Sequence, residues 1–311
     1  EEKNIINLLD SLFAQSYKPK EIIISDGGSS DRTVQLINNY ILNNKKDIQI
    51  KIIGREGKCR GSGRNIAIKN CQSKYIALID SGHIADKDWL KGFAKFISRQ
   101  DNADVIFGTV HPIKNNFFNK IVSSFILGNK KHDGKIKETV ASMLIKKSVF
   151  EKIGFFLESN NGTYVVEDLN FIKKIKNSKN IIKFYLESSF TSWNVSENYQ
   201  QLFNKYVSYS IGAINAGYFN LWHKNVFRNI LLAIIIIIFS LKITFIPFII
   251  LLFLLLFLRS LFYLNKNNWF NESIFLMKMK YILALSYLLI LIDYAAIKGF
   301  FLWFFKKIKV N

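Results

Sequence analysis

Asp26, Asp80, Glu167 and Asp168 stand where a carboxylate could do chemistry rather than only solvate a surface. Asp26 closes the apolar run Ile22-Ile23-Ile24 and opens the turn Gly27-Gly28-Ser29-Ser30-Asp31. A carboxylate at a strand's C-terminal end lies at the edge where open α/β sheets bind ligands. There it can accept hydrogen bonds from a base or ribose, and the glycines, Gly27 first, let a flat ring approach the backbone. The same residues also read as an ordinary strand-to-helix turn with Ser30 or Asp31 as N-cap. Asp80 ends a second run, Tyr75-Ile76-Ala77-Leu78-Ile79, and is expected at the same edge on a neighbouring strand. Two such acids can hold a ribose and, through a divalent cation, a diphosphate. His83 could add a metal ligand or be a loop histidine, and Asp86 and Asp88 suit caps of the next helix.

Two further segments carry charge into helix starts. Gly54-Arg55-Glu56-Gly57-Lys58-Cys59-Arg60-Gly61-Ser62-Gly63-Arg64-Asn65 is a cationic, glycine-rich loop entering a helix, which suits phosphate or else is simply solvated. It lacks the ending of a P-loop. Glu167-Asp168 opens a helix after a Gly162 loop, either as an acidic first turn or as a general base for a sugar hydroxyl.

The elements that must position these residues alternate. Apolar spacing predicts helices over 3–15, 31–43, 61–71, 87–98, 147–153 and 167–177. It predicts strands over 21–25, 48–53, 75–79, 104–108 and 181–186, with a strand or turn near 139–145. That order argues for a mostly parallel sheet covered by helices. Residues 111–135 read as a polar loop with a short helix, and 196–220 as an amphipathic helix. The chain has 311 residues and a net charge of +20. From Asn229 to Leu264 almost every residue is apolar apart from Lys242 and Arg259, enough for a two-helix membrane hairpin broken at Ser240-Leu241-Lys242. A third apolar stretch, Tyr281 to Phe305, carries Asp293 and Lys298 and either spans or lies in the interface. Lysines and arginines gather beside these segments, which favours an anionic membrane over nucleic acid as partner and puts the α/β domain on the cytoplasmic side. No nucleic-acid recognition motif appears. Cys59 and Cys71 lack metal-ligand spacing and are expected to be small buried residues.

Taken in order, IIISDGGSSDRT, GSGRNIAI, YIALIDSGHIADKDWL and VEDLNFIKKI resemble the family 2 glycosyltransferases from Glu1 to about Tyr218. The resemblance implies the GT-A fold and a first strand ahead of Glu1-Glu2. It divides the chain into a nucleotide-sugar-binding half (1–110), an acceptor-side half (111–195), an interface helix (196–225) and a membrane region (226–311). It implies that Asp26 meets the base, that Arg64 meets the nucleotide or its phosphates, and that Asp80 is the first acid of the DxD motif. It also implies that Glu167-Asp168 holds the catalytic base, with Asp168 the choice, and that the reaction inverts. Gly82 stands where the second DxD acid belongs, so Asp80, the diphosphate and His83 are left to hold Mg²⁺ or Mn²⁺. A similar Asp-small-Gly variant occurs in a membrane-attached branch of the family. The QxxRW motif of processive members is missing, which favours single-sugar transfer. The expected activity is transfer from a UDP-linked sugar to a lipid-linked or cell-envelope glycan acceptor. The alternative, prompted by Gly82, is an inactive nucleotide-sugar-binding partner of a glycan assembly complex at the membrane.

Overall fold

The computed structural model describes residues 1–44, 48–54, 59–126, 138–159, 166–195, 198–240, 245–266 and 275–308. They fall into two compact units, one of Glu1–Ile113 with Lys135–Asn194, the other of Lys114–Gly134 with Val195–Asn311.

The first unit alternates helices and strands as the sequence predicts: α1 (Ile5–Phe13), β1 (Glu21–Asp26), α2 (Thr33–Asn43), β2 (Gln49–Gly54), α3 (Arg60–Asn70), β3 (Tyr75–Leu78), β4 (His83–Ala85), α4 (Trp89–Ile97) and β5 (Val105–Pro112). After α5 (Phe117–Ile126), which belongs to the other unit, come a 3₁₀ turn (Val140–Ser142), β6 (Met143–Lys146), α6 (Lys147–Ile153), α7 (Glu167–Asn177) and β7 (Lys183–Trp193). β1 and β2 pair in parallel, Asp26 opposite Gly54. The larger sheet has the order β3-β6-β5-β7-β4.

That larger sheet is mixed, where the alternation predicts mostly parallel pairs: β5–β7 is parallel, while β3–β6, β5–β6 and β4–β7 are antiparallel. β3 and β4, close in sequence, stand at opposite ends of this order, and each pairs antiparallel with a strand from later in the chain, β6 and β7. Among the described strands β1 ladders only with β2, and β3 uses an edge on β6. Asp26 and Asp80 therefore follow strands of two different sheets, not neighbouring strands of one.

The five-stranded sheet buries both faces, and period-two alternation divides its side chains. Val105, Phe107, Met143 and Ile145 join one core with Val149, Phe150, Phe171 and Ile175 of α6 and α7. Ile106 and Leu144, one step out of phase, join the other with Leu8, Leu9, Trp89 and Phe93 of α1 and α4. Both cysteines are buried, as expected. The N-cap position of α2 is Arg32, which makes no side-chain cap bond, and Asp31 just ahead of it accepts from the Thr33 amide through Oδ1 at 3.1 Å. Asp88 stands at the N-cap of α4 without a side-chain cap bond, while Asp86 Oδ1 accepts from the Asp88 amide at 3.0 Å.

Glu21 fixes the start of β1. Its Oε1 accepts from the amides of Gln72 (2.8 Å) and Ser73 (3.1 Å) and from Ser73 Oγ (3.0 Å). Burial pushes the carboxyl up, but these bonds outweigh it and hold the group below the usual carboxylate range. A folded-state value below the unfolded one means the contribution is full above the unfolded value and is lost as pH falls through the folded one. Glu21→Gln should lower stability at pH 7 by about 1–2 kcal/mol, the order of a lost charged hydrogen bond, and by less at an acid pH where the carboxyl is protonated. Thermal unfolding at the two pH values measures it, and equal midpoints at pH 7 would contradict it.

The second unit contains α5, α8 (Tyr199–Asn215), α9 (Phe219–Ser240), α10 (Phe245–Lys266) and α11 (Phe275–Ile308). α9 and α10 each have 22 residues and cover the expected hairpin; of its expected break, Ser240 ends α9 and Leu241-Lys242 lie outside the described residues. Among the described residues one helix, Lys278–Lys307 of α11, is long and apolar enough to cross a membrane by length and composition. Three charges in this unit's apolar helices have partners: Arg259 Nη2 donates to Asp293 Oδ1 at 3.0 Å in a two-pronged pair, and Lys298 Nζ lies 5.3 Å from the Phe203 ring centre. A paired charge is far cheaper to bury than a lone one.

Candidate functional site

The first turn of α3 is built by the segment Gly61-Ser62-Gly63-Arg64-Asn65. A Cβ on Gly61 would stand 2.0 Å from the Leu157 carbonyl oxygen and 3.3 Å from Glu167 Cβ, so only glycine lets α3 approach the 156–158 backbone and the start of α7. Asn65 locks the approach: its Oδ1 accepts from the Phe156 amide and its Nδ2 donates to the Phe156 carbonyl, both at 3.0 Å. Ser62 Oγ donates back to the Cys59 carbonyl at 3.0 Å.

This packing leaves Arg64 between two acids. Its Nη2 donates to Asp80 Oδ1 at 2.8 Å and its Nη1 to Glu167 Oε1 at 3.0 Å. The guanidinium lies 5.4 Å from the centre of the Phe156 ring, itself 4.1 Å from Phe171. Such a fork suits a planar two-armed contact that lysine could not make.

Asp80 keeps 42% of its side-chain surface open, and among the described residues its bonds fall on Oδ1 alone. Crowding by surrounding atoms resists ionisation, but the charge and hydrogen bond of Arg64, with help from His83 and Arg60, hold the carboxyl below the usual range. Glu167 is the opposite case, with only 2% of its side chain exposed. Burial pushes its carboxyl up, and Asp168 adds to that against the pull of Arg64 and Arg60. Its Oε2 is buried with no hydrogen-bond partner among the described residues. Ahead of it, Val166 holds a left-handed backbone at φ 47°, rare for a β-branched residue and of the kind that collects at functional sites. Asp168, next in the chain, is half-buried, and its Oδ1 accepts from the Leu169 amide at 2.8 Å. The two adjacent acids thus differ: Glu167 is sealed against Arg64 and Asp168 reaches solvent.

The other expected positions are placed as follows. Asp26 Oδ2 accepts from the amides of Gly28 (2.9 Å) and Ser29 (3.0 Å), and Oδ1 from Ser29 Oγ (2.5 Å), so the acid stiffens its own turn. Gly28, at φ 91°, supplies the left-handed residue, and Gly27 is exposed beside it. His83 is buried, its Nδ1 3.0 Å from Thr191 Oγ1 and its ring stacked on Trp193. A Cβ on Gly82 would meet only the Trp193 indole at 3.8–3.9 Å, so sterics do not demand glycine there. Residues 55–58 of the basic loop and the Gly162 loop lie outside the described residues.

The structure brings Arg64, Asp80 and Glu167 into direct contact. No group of three or more His, Cys, Asp or Glu side chains among the described residues could hold a metal on its own. Asp80 alone suits a magnesium-like ion, which binds through one or two carboxylates and completes its shell with waters and substrate phosphates. Sequence reasoning left Asn65, Phe156 and Trp193 unassigned; Asn65 directly after Arg64 was the one local signal.

The profile of the family described as Glycosyl transferase family 2 matches residues 1–162. The poly(ribitol-phosphate) beta-N-acetylglucosaminyltransferase TarS of Staphylococcus aureus is 32% identical over 108 residues, 34% of this chain and 18% of the relative. The match thus spans less than a fifth of that relative's length. The crystal structure of S. aureus TarS 1-349 with UDP-GlcNAc aligns at 19% identity and TM-score 0.49, over 69% of this chain and 64% of that one. The mannosyltransferase PcManGT from Pyrobaculum calidifontis, in complex with GDP-Man and Mn2+, aligns at 14% identity and TM-score 0.59, over 96% of this chain and 84% of that one.

Proposed function

The chain belongs to glycosyl transferase family 2 and has its GT-A fold, and on that premise we propose that it moves a sugar from a nucleotide-sugar donor to a lipid-linked or cell-envelope glycan acceptor. The carrying observation is the convergence of Asp80, Arg64 and Glu167, which joins the acid after β3 to the acid pair that opens α7. The names of two similar proteins support the donor class: one is a beta-N-acetylglucosaminyltransferase whose crystals hold UDP-GlcNAc, the other a mannosyltransferase holding GDP-Man. UDP is the donor nucleotide we propose.

In this reading Asp26 and Gly27 receive the base, Arg64 faces the diphosphate, and Asp80 with Gly82 borders the phosphates. Asp168 takes the proton from the acceptor hydroxyl, whose oxygen attacks the anomeric carbon as the bond to the diphosphate breaks, so the product is inverted. A Mg²⁺ or Mn²⁺ held by Asp80, with His83 beside it, would neutralise charge on the leaving diphosphate. The second unit attaches the enzyme to the membrane. Exposed Leu231, Ile238, Phe253, Leu258 and Phe262 on α9 and α10, and the apolar α11, support a multi-pass anchor with the first unit on the cytoplasmic side. An enzyme held at the bilayer meets lipid-anchored acceptors at high local concentration.

The test is calorimetric titration of UDP into the detergent-solubilised chain with Mn²⁺. Micromolar binding is expected. Failure of UDP, GDP and dTDP alike would contradict the donor site.

A further inference from the structure

Adjacent acids at a helix start are usually equivalent first-turn carboxylates, but here they are not. Glu167 is sealed and bonded through Oε1 to Arg64, and it follows Val166, whose backbone is left-handed. Arg64 has two arms and gives one to each acid. An arginine fork placed against a single carboxylate tends to close on both of its oxygens. At Asp80 it does not, because the second arm is engaged by Glu167, and the bonds to Asp80 fall on Oδ1 alone.

We infer that Glu167 is a positioning residue: by holding one arm of Arg64 it keeps the second oxygen of Asp80 open to a divalent cation. The inference rests on the donor-site reading above. It accounts for how a chain with Gly82 in place of a second acid keeps a cation at a single carboxylate. Two carboxylates and one guanidinium carry a formal charge of −1, and loss of the Glu167 charge brings the cluster to zero and loosens its hold on Arg64, whose arm can then turn toward Asp80. Both changes act in the same direction on cation affinity.

The test is Glu167→Gln in the full chain, which preserves shape, with melting curves as a folding control. UDP affinity is measured by calorimetry in EDTA and across a Mn²⁺ series, and Mn²⁺ occupancy by its electron paramagnetic resonance signal. The expected result is Mn²⁺ affinity in the presence of UDP weakened about tenfold, the scale of one nearby charge, with metal-free UDP affinity changed much less. Equal losses in both conditions, or none in either, would overturn the inference. A second arm repeats the substitution in an Arg64→Gln background. If Glu167 acts through Arg64, the substitution costs clearly less there than in the parent background, and an undiminished Mn²⁺ loss would overturn the claim. A wild-type chain that binds no UDP would instead undo the donor-site reading. Wild-type binding matched by Glu167→Gln would leave that reading standing and remove only the positioning role.

Discussion

Asp168→Asn should reduce sugar transfer by roughly 10²–10⁴-fold, the range general-base catalysis supplies, while leaving UDP binding within experimental error. The substitution changes no volume and keeps an oxygen able to accept from the Leu169 amide, the local bond Asp168 makes at the start of α7. It removes the proton acceptor. The neighbouring acid cannot take over, because Glu167 is sealed from solvent and its Oε1 is bonded to Arg64. A loss confined to kcat, with UDP affinity intact, is the signature of a group that acts on the reacting hydroxyl. Unchanged turnover would sink the base assignment.

Arg64→Ala should have the second large effect, on both stability and donor binding. The guanidinium is the partner of a carboxylate that is 2% exposed, and its removal strips Oε1 of its side-chain donor while Oε2 has none among the described residues. Breaking a buried pair from one side costs about 3–5 kcal/mol, because the stranded charge remains in a poor solvent. The deficit should shrink as pH falls. Burial already raises the Glu167 carboxyl above its ordinary value, so the folded variant binds a proton that the unfolded chain releases, and protonation relieves the stranded charge. UDP affinity should fall with it, since the same guanidinium is the cation beside Asp80. Thermal unfolding at pH 7 and pH 5 with a UDP titration gives the measurement. A variant as stable as the parent at pH 7 would show that the triad is not a closed ion cluster in solution.

The sequence told more about where the acids stand than about what they touch. The start of α7 at Glu167 and the whole of α6, Lys147–Ile153, were readable because their apolar residues repeat at helical spacing. β7 was expected to end at 186 but continues to Trp193, since Glu187-Ser188-Ser189 reads as a polar turn. In the structure that stretch is absorbed by a register shift against β5 between Phe107 and Thr109. β4, three residues long, carries too short a pattern to register. The contacts of Arg64 were out of reach for a different reason: its partners lie 16 and 103 positions away, and local spacing says nothing about such distances. A glycine-rich basic loop predicted a phosphate-facing arginine, while the fork between two acids follows from Gly61 and Asn65 drawing α3 onto the 156–158 backbone.

The central claim is that this chain turns over a nucleotide sugar at a membrane. The most direct measurement is incubation of membranes containing the full chain with UDP-[¹⁴C]GlcNAc and Mn²⁺, followed by solvent extraction and UDP quantification. The account predicts label in the lipid or glycan fraction, equimolar release of UDP, and loss of both in Asp168→Asn. Donor that binds but never leaves its nucleotide, with parent and variant alike, would contradict it and describe a binding partner instead of a transferase.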